Sequence, residues 1–261
     1  MRLPFYLIDS FTDTLFGGNP AGVVPLTEWP EETTLQKIAM ENNQAETAFF
    51  VKMPDDTFHI RWFTPLTEVN LCGHATLAAA HVLFNYMNQP GEVITFMSKS
   101  GKLTATKTAN GLQLDFPLDY FLETEAPDKL IKGLRTEPKE IYIGREDYLC
   151  VFHYEEKIKR ITPDFSLLSE LKCRGVIVTA KGNDVDFVCR FFAPGFGIDE
   201  DSATGSIQTT LMNYWSKKLN KKELTSLQLS KRVGKFHSII NGDRVLISGN
   251  TVTYLTGEIN C

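Results

Sequence analysis

Short runs of β-branched and aromatic residues recur along the whole chain, bounded by Gly, Asp, Asn and Pro. In the first half they are Pro4–Phe11, Ala48–Lys52, Thr57–Phe63, Glu92–Met97, Lys102–Lys107 and Gly111–Phe116. In the second they are Glu140–Ile143, Tyr148–His153, Gly175–Thr179, Asp186–Phe192, Ser226–Leu229, Lys235–Ile240 and Arg244–Ser248. Runs of this length and composition predict strands. Helical periodicity is rarer. Pro30 opens one pattern through Leu35, Ile38 and Ala39, and His74, Leu77, Ala80, Phe84 and Met87 recur at spacings of 3, 3, 4 and 3. A third pattern covers roughly Asp164 to Leu171, and a fourth follows Ser206 through Ile207, Leu211 and Tyr214. Many strands with few helices predict an α+β fold.

The pattern repeats. At an offset of 129, Asp55 falls on Asp184, Phe58 on Phe187, Arg61 on Arg190, Phe63 on Phe192 and Pro65 on Pro194, with Trp62 over Phe191. Both segments lead through a turn into a small-residue helix start, Cys72-Gly73-His74-Ala75-Thr76 in one and Asp201-Ser202-Ala203-Thr204-Gly205-Ser206 in the other. Matched identities followed by matched turns predict a duplicated unit. The alternative is two unrelated strand–turn–helix units. At roughly 150 residues per domain, a length of 261 residues suggests about two domains, or one large one. The expected division is 1–118 and 119–261, with the boundary between Phe116 and Glu140 and the last strand a candidate to return to the first half. Two such halves would each present a helix N-terminus to one cleft. Unpaired N–H groups and the positive dipole end there suit a small acidic substrate.

Charge removes several partners. The net charge is −5 with no Lys/Arg run, so the chain lacks the electrostatic footprint of a nucleic-acid binder. Lys217-Lys218 and Lys221-Lys222 read as solvated surface. The N-terminus reaches Asp9 too early for a signal peptide, and the apolar stretch Leu71–Phe84 is too short to span a bilayer. No membrane partner and a cytoplasmic location are therefore expected. Cys72, Cys150, Cys173, Cys189 and Cys261 are widely spaced and form no CxxC pair, so they define neither a disulfide framework nor a zinc site. The five histidines lack HExxH spacing, and all but His74 read as surface or boundary residues. Neither GxGxxG nor GxxxxGK[ST] occurs, so no dinucleotide or P-loop nucleotide is implied. No metal and no cofactor is expected.

A few residues could do chemistry. Glu46 stands between a helix and an apolar strand, where a carboxylate is disfavoured as an anion and its pKa should rise toward that of a working acid or base. The other reading is a solvated Glu at a strand entry. His74 sits at a helix start, where burial and the dipole should keep its imidazole neutral. The other reading is a first-turn His facing solvent. Asp201 is either an N-cap or a proton acceptor, and Ser206 either a small helix residue or a donor to a substrate carboxylate. Asn19 lies in the glycine-rich stretch Phe16-Gly17-Gly18-Asn19-Pro20-Ala21-Gly22, read as a loop whose bare backbone could approach a ligand. Cys72 could be a low-pKa thiolate at a helix N-terminus. Pairing with His74 as a nucleophile is disfavoured, because residues i and i+2 on a turn point different ways.

These segments, in order, carry a resemblance. Asp9-Ser10-Phe11-Thr12, Phe16 to Val24, Glu46-Thr47-Ala48-Phe49, Arg61-Trp62-Phe63-Thr64-Pro65, Cys72-Gly73-His74-Ala75-Thr76, Arg190-Phe191-Phe192-Ala193-Pro194 and Glu200 to Ser206 resemble the PhzF (phenazine biosynthesis-like) family, within the diaminopimelate-epimerase-like superfamily. The resemblance implies two similar α+β halves, each a curved, mostly antiparallel sheet around a central helix, with the active-site cleft between them. It implies a cofactor-independent isomerase that moves a proton on a small carboxylate-bearing metabolite, and a homodimer. By motif position the catalytic residues are Glu46, His74 and Asp201, with Glu46 as the acid/base. Substrate binding falls to Asn19, Gly73, Gly205 and Ser206. Superfamily epimerases with two thiols place them near Cys72 and Ser202, and the second is missing here. Ser202 also replaces a Pro common in the family. The alternative function is a non-catalytic protein that binds a small acid or a partner on the same scaffold.

Overall fold

The structure is a computed structural model, and it describes residues 2–261. In chain order the elements are β1 (Arg2–Ser10), β2 (Asn19–Leu26), α1 (Glu32–Asn42), β3 (Glu46–Lys52), β4 (Phe58–Phe63), β5 (Glu68–Val69), α2 (Gly73–Asn85), β6 (Val93–Ser98), β7 (Gly101–Thr108) and β8 (Gly111–Pro117). There follow β9 (Leu122–Glu123), α3 (Asp128–Leu134), β10 (Glu140–Ile143), β11 (Asp147–Val151), α4 (Glu155–Arg160), α5 (Phe165–Ser169), β12 (Gly175–Lys181), β13 (Phe187–Ala193) and β14 (Ile198–Asp201). The chain ends with α6 (Gly205–Leu219), β15 (Glu223–Gln228), β16 (Gly234–Asn241), β17 (Arg244–Gly249) and β18 (Thr251–Asn260).

Two compact units emerge. The first runs to Asp115 and takes back Ser248–Cys261; the second is Phe116–Ile247. The chain therefore changes unit within β8 and again within β17. In the first unit β2 and β3 are parallel, β3–β4 and β4–β5 antiparallel, β4–β6 parallel and β6–β7 antiparallel. The second unit has the same scheme: β11–β12 parallel, β12–β13 and β13–β14 antiparallel, β13–β15 parallel and β15–β16 antiparallel. The offset of 129 carries β3 onto β12 residue for residue.

Each unit encloses one helix. Ten residues of α2 are buried, from His74 to Phe84, and the helix packs on β1, β2 and β3. Small side chains at Ala75, Ala78, Ala79 and Ala80 let those strands approach, while Leu77, Val82 and Leu83 fill the space at about 1.5–3 kcal/mol each. In the second unit ten residues of α6 are buried, and it packs on β15 and β16. Shorter helices cover other apolar surface. Leu35, Ile38 and Ala39 of α1 pack with Val24, Phe49 and Phe63, whereas Leu130 and Leu134 of α3, Ile158 of α4 and Leu168 of α5 pack with Val176, Val178 and Phe192.

The strands depart from the sequence expectation at two places. The glycine-rich stretch is a loop only as far as Gly18; Asn19 to Leu26 is β2, which pairs with both β1 and β3. Pro20 and Gly22 mask a buried strand, and Gly22 is suited there because a Cβ would come within 3.0 Å of Thr47 Oγ1. The C-terminal strand β18 pairs with β1 from Arg2↔Asn260 to Ser10↔Thr251, although its exposed polar face hides the strand pattern. Helices α3 and α4 are too short to show a period.

Candidate active site

In the first unit the chain brings Glu46, Cys72, His74 and Asn19 together. Glu46 opens β3, in parallel register with Ala21 of β2, after α1 ends in a left-handed residue at Asn43. Cys72 is the N-cap of α2, and Gly73 and His74 begin the helix. Ser10 Oγ donates to the His74 carbonyl oxygen at 2.8 Å, fixing the helix start against β1. Asn19 is set by Gly18, whose φ of 58° and whose pro-Cβ position 2.0 Å from the Ser10 carbonyl oxygen exclude any other residue.

The side chains converge on the imidazole. His74 Nε2 lies 3.2 Å from Glu46 Oε2. Nδ1 lies 3.3 Å from Asn19 Nδ2 and 3.5 Å from Cys72 Sγ. The His74 and Glu46 side chains are only 7% and 13% exposed, so water contributes little to either charge. Burial alone would push the carboxyl pKa up and the imidazole pKa down. Mutual attraction outweighs it: Glu46 sits below the usual carboxylate value because of His74, and His74 sits well above the usual imidazole value because of the Glu46 carboxylate. Both directions reverse the expectation from sequence. An apolar strand entry would raise Glu46, but the sequence does not reveal that an imidazole stands beside it.

Cys72 differs from expectation as well. Its thiol is pushed up to about 11, by burial first and by the Glu46 carboxylate second, so the helix N-terminus does not make it a thiolate. The i and i+2 side chains also do meet. Cys72 is in extended backbone as N-cap, with φ −144° and ψ 110°, which swings its sulfur onto the imidazole face of the first helical turn.

In the second unit the N-cap of α6 is Thr204, not Asp201. Asp201 ends β14, three residues earlier, and its carboxylate accepts from the Thr204 hydroxyl. Gln228 braces this turn: its Oε1 accepts from Thr204 N at 2.8 Å, and its Nε2 donates to the Asp201 carbonyl oxygen at 2.8 Å. Gly205 and Ser206 begin the helix. Ser206 Oγ accepts from Arg174 Nη1 at 2.9 Å, and Arg174 grips the buried Asp147 through Nε at 2.9 Å and through Nη2. Sequence reasoning missed Gln228, Arg174 and Asp147. No spacing pattern marks them, since they reach the helix start from β15, the β11 entry and the approach to β12.

Known proteins resemble this chain over its whole length. Residues 8–257 match the profile of the family described as "Phenazine biosynthesis-like protein" (PhzC-PhzF). The chain belongs to this family. An uncharacterized isomerase of Pseudomonas aeruginosa is a family relative 44% identical over 259 residues, 99% of each chain. A crystal structure of a PhzF-family phenazine biosynthesis protein from Enterococcus faecalis superposes over all of both chains with a TM-score of 0.97 at 42% identity. The PhzF fold extends further: a hydroxyproline epimerase from Agrobacterium vitis, 11% identical, shares it over 99% of this chain and 92% of its own, with a TM-score of 0.59. The fold is thus the α+β, epimerase-like one. No helix among the described residues is long and apolar enough to cross a membrane.

Proposed function

We propose that the protein is a cofactor-independent isomerase that moves a proton on a small carboxylate-bearing metabolite, with Glu46 as the base that takes the proton and returns it. The observation that carries this reading is the Glu46–His74 contact at 3.2 Å, held almost out of water on the first residue of a strand and the first turn of a helix. The lowered pKa of Glu46 keeps it ionised and able to accept a proton at neutral pH. Imidazolium at His74 would hold that carboxylate in place and, when Glu46 takes up a proton, would spread charge through the pair. N–H groups at Gly73 would face developing negative charge on substrate. The isomerase name of the P. aeruginosa relative supports the reaction class.

The proposal keeps Asp201, Gly205 and Ser206 as substrate-facing groups of the second unit and Asn19 as a binding group of the first. The test is proton exchange. The protein is incubated in deuterium oxide with a pool of small carboxylic acids, and deuterium incorporation is read by mass spectrometry. One or more acids should exchange with wild-type protein and none with Glu46→Gln, while Ser206→Ala should raise the acid concentration needed. Undiminished exchange by Glu46→Gln would sink the assignment. Binding of an acid at Glu46 without exchange would favour the non-catalytic binder instead.

A further inference from the structure

We infer that the second unit carries a binding site for a small aromatic carboxylate, in a cavity over Arg190 and apart from the candidate active site. The cavity has a volume of about 550 Å³, and the residues lining it run from Ile161 to Arg232, all within one unit. Small-molecule sites typically measure roughly 300–1,000 Å³. The walls include Glu200 and Ser202, the neighbours of Asp201, but not Asp201 itself.

The first unit shows what covers the matching arginine. Arg61 donates from Nε and Nη2 to Glu68, and Nη2 also donates to Glu32 Oε2 at 2.6 Å. The Trp29 ring covers the same guanidinium, with its centroid 5.5 Å from Cζ. Arg61 is therefore met by an aromatic ring and by a second carboxylate. The offset of 129 carries Trp29 and Glu32 onto Ile158 and Ile161, whose side chains offer neither group. Their carbonyl oxygens instead take the two Nη1 hydrogens of Arg190, at 3.1 and 2.7 Å, while Glu200 takes one hydrogen from Nε and one from Nη2. A guanidinium has five N–H donors. The fifth of Arg190, on Nη2, corresponds to the one that meets Glu32 in the first unit, and it has no partner among the described residues. The Arg190 side chain is only 12% exposed, so an unmet donor there favours an acceptor brought by a ligand.

The walls fit the two groups that Arg190 lacks. Phe192 lies under its guanidinium at 4.9 Å, and the half-buried Phe165 meets Phe192 edge-on at 6.1 Å. Ile161 and Pro163 continue this apolar wall, on which a flat ring would pack. Three cationic side chains, Arg190, Lys231 and Arg232, stand in the walls against two acidic ones, Asp199 and Glu200, and Glu200 is already held by Arg190. Lys231 has no ion-pair partner among the described residues. A ligand carboxylate would accept from the fifth Arg190 donor and face Lys231, a charge-assisted arrangement of the strong kind.

The site does not depend on the proposed reaction, so its test uses no substrate. The probe is indole-3-acetate, which joins in one molecule the ring of Trp29 and the carboxylate of Glu32. Its binding to the full chain is detected by saturation-transfer NMR and titrated for a Kd. Wild-type protein should bind it with a Kd of about 1 mM or tighter, and should bind indole-3-ethanol, the same ring without the carboxylate, at least about tenfold more weakly. Lys231→Glu, at an exposed position, should weaken binding by about fivefold or more. Thr162→Trp, which brings a ring into the cavity from an exposed wall position, should weaken it by about tenfold or more. Glu46→Gln should leave the Kd unchanged. Absence of saturation transfer at about 10 mM probe, equal binding of the alcohol, or a Kd that either Lys231→Glu or Thr162→Trp leaves unchanged overturns the site. Weakened binding in Glu46→Gln would put the acid in the candidate active site, and overturns it as well.

Discussion

Arg61 and Arg190 do the same job in the two units. Arg61 lies over the Phe63 ring at 5.1 Å and holds both oxygens of Glu68; Arg190 lies over the Phe192 ring at 4.9 Å and holds both oxygens of Glu200. Each planar fork is matched to a carboxylate and stacked on an aromatic face, which a lysine could not reproduce. The surroundings differ. Arg190 Nη1 also donates to the carbonyl oxygens of Ile158 and Ile161, whereas Glu68 keeps a second partner in Lys99. Arg190→Ala should therefore cost roughly 3–5 kcal/mol, because it strands a mostly buried Glu200 and two carbonyls. Arg61→Ala should cost less, since Lys99 still faces Glu68. Urea denaturation of the two variants checks the order, and a larger loss at position 61 would count against it.

His81 ties the chain's last strand to α2. Its ring nitrogens meet Thr251 Oγ1 at 2.7 Å and Thr253 Oγ1 at 2.8 Å, and burial pushes its pKa down to about 4. An unfolded His binds a proton near pH 6.5, but this one resists protonation until about 4. Between those values the unfolded state binds more protons, so stability falls as the pH falls and levels off below 4. We expect wild-type protein to lose on the order of 1–3 kcal/mol over that window from this group, after allowance for its partial exposure. His81→Gln should lack that segment of the profile. Denaturant midpoints at pH 7 and pH 4.5 separate the two proteins.

Arg174 and Ser206 should respond very differently to substitution. Ser206→Ala removes one acceptor, while Arg174 keeps its paired contact with Asp147, so the loss should be about 1 kcal/mol. Arg174→Met leaves Asp147 buried and uncompensated, at a cost of roughly 3–5 kcal/mol at neutral pH. Burial already raises the Asp147 pKa against the pull of Arg174, and without that arginine it should rise further. A carboxyl whose folded pKa exceeds its unfolded value binds more protons when folded, so the Arg174→Met variant should regain stability as the pH drops toward 5. Thermal unfolding across pH 5–8 tests this. A variant that is least stable in acid would refute it.

Much of the fold was legible in the chain because period-2 runs and Gly/Pro boundaries report local conformation. The offset of 129 was legible because Arg61, Phe63 and Pro65 recur as Arg190, Phe192 and Pro194, and those residues anchor the same strand in each unit. What stayed hidden was environment. β2 was hidden because Pro20 and Gly22 imitate a loop, although close packing against Thr47 favours glycine there. Glu46 and His74 were identifiable as chemistry-bearing residues, but their charge states depend on a contact between β3 and α2 that no local pattern encodes. Gln228, Arg174 and Asp147 act through long-range hydrogen bonds, and residue type alone does not mark them.

Cys72 offers a direct check on the electrostatics of the site. Its thiol is 7% exposed and its pKa is pushed up to about 11, whereas Cys261 is exposed at the chain end. The thiolate is the reactive form, so at pH 7.5 alkylation should label Cys261 long before Cys72. Raising the pH should speed Cys72 labelling about tenfold per unit until pH approaches 11, because each unit multiplies the thiolate fraction by ten. Removing the carboxylate should also help: in Glu46→Gln the repulsion that raises the thiol is gone, and Cys72 should label faster than in wild-type protein at every pH below 10. Peptide mass spectrometry after timed iodoacetamide exposure gives all three rates. Rapid labelling of Cys72 at neutral pH in wild-type protein would mean a thiolate beside His74, and would restore the nucleophilic role that the elevated pKa argues against.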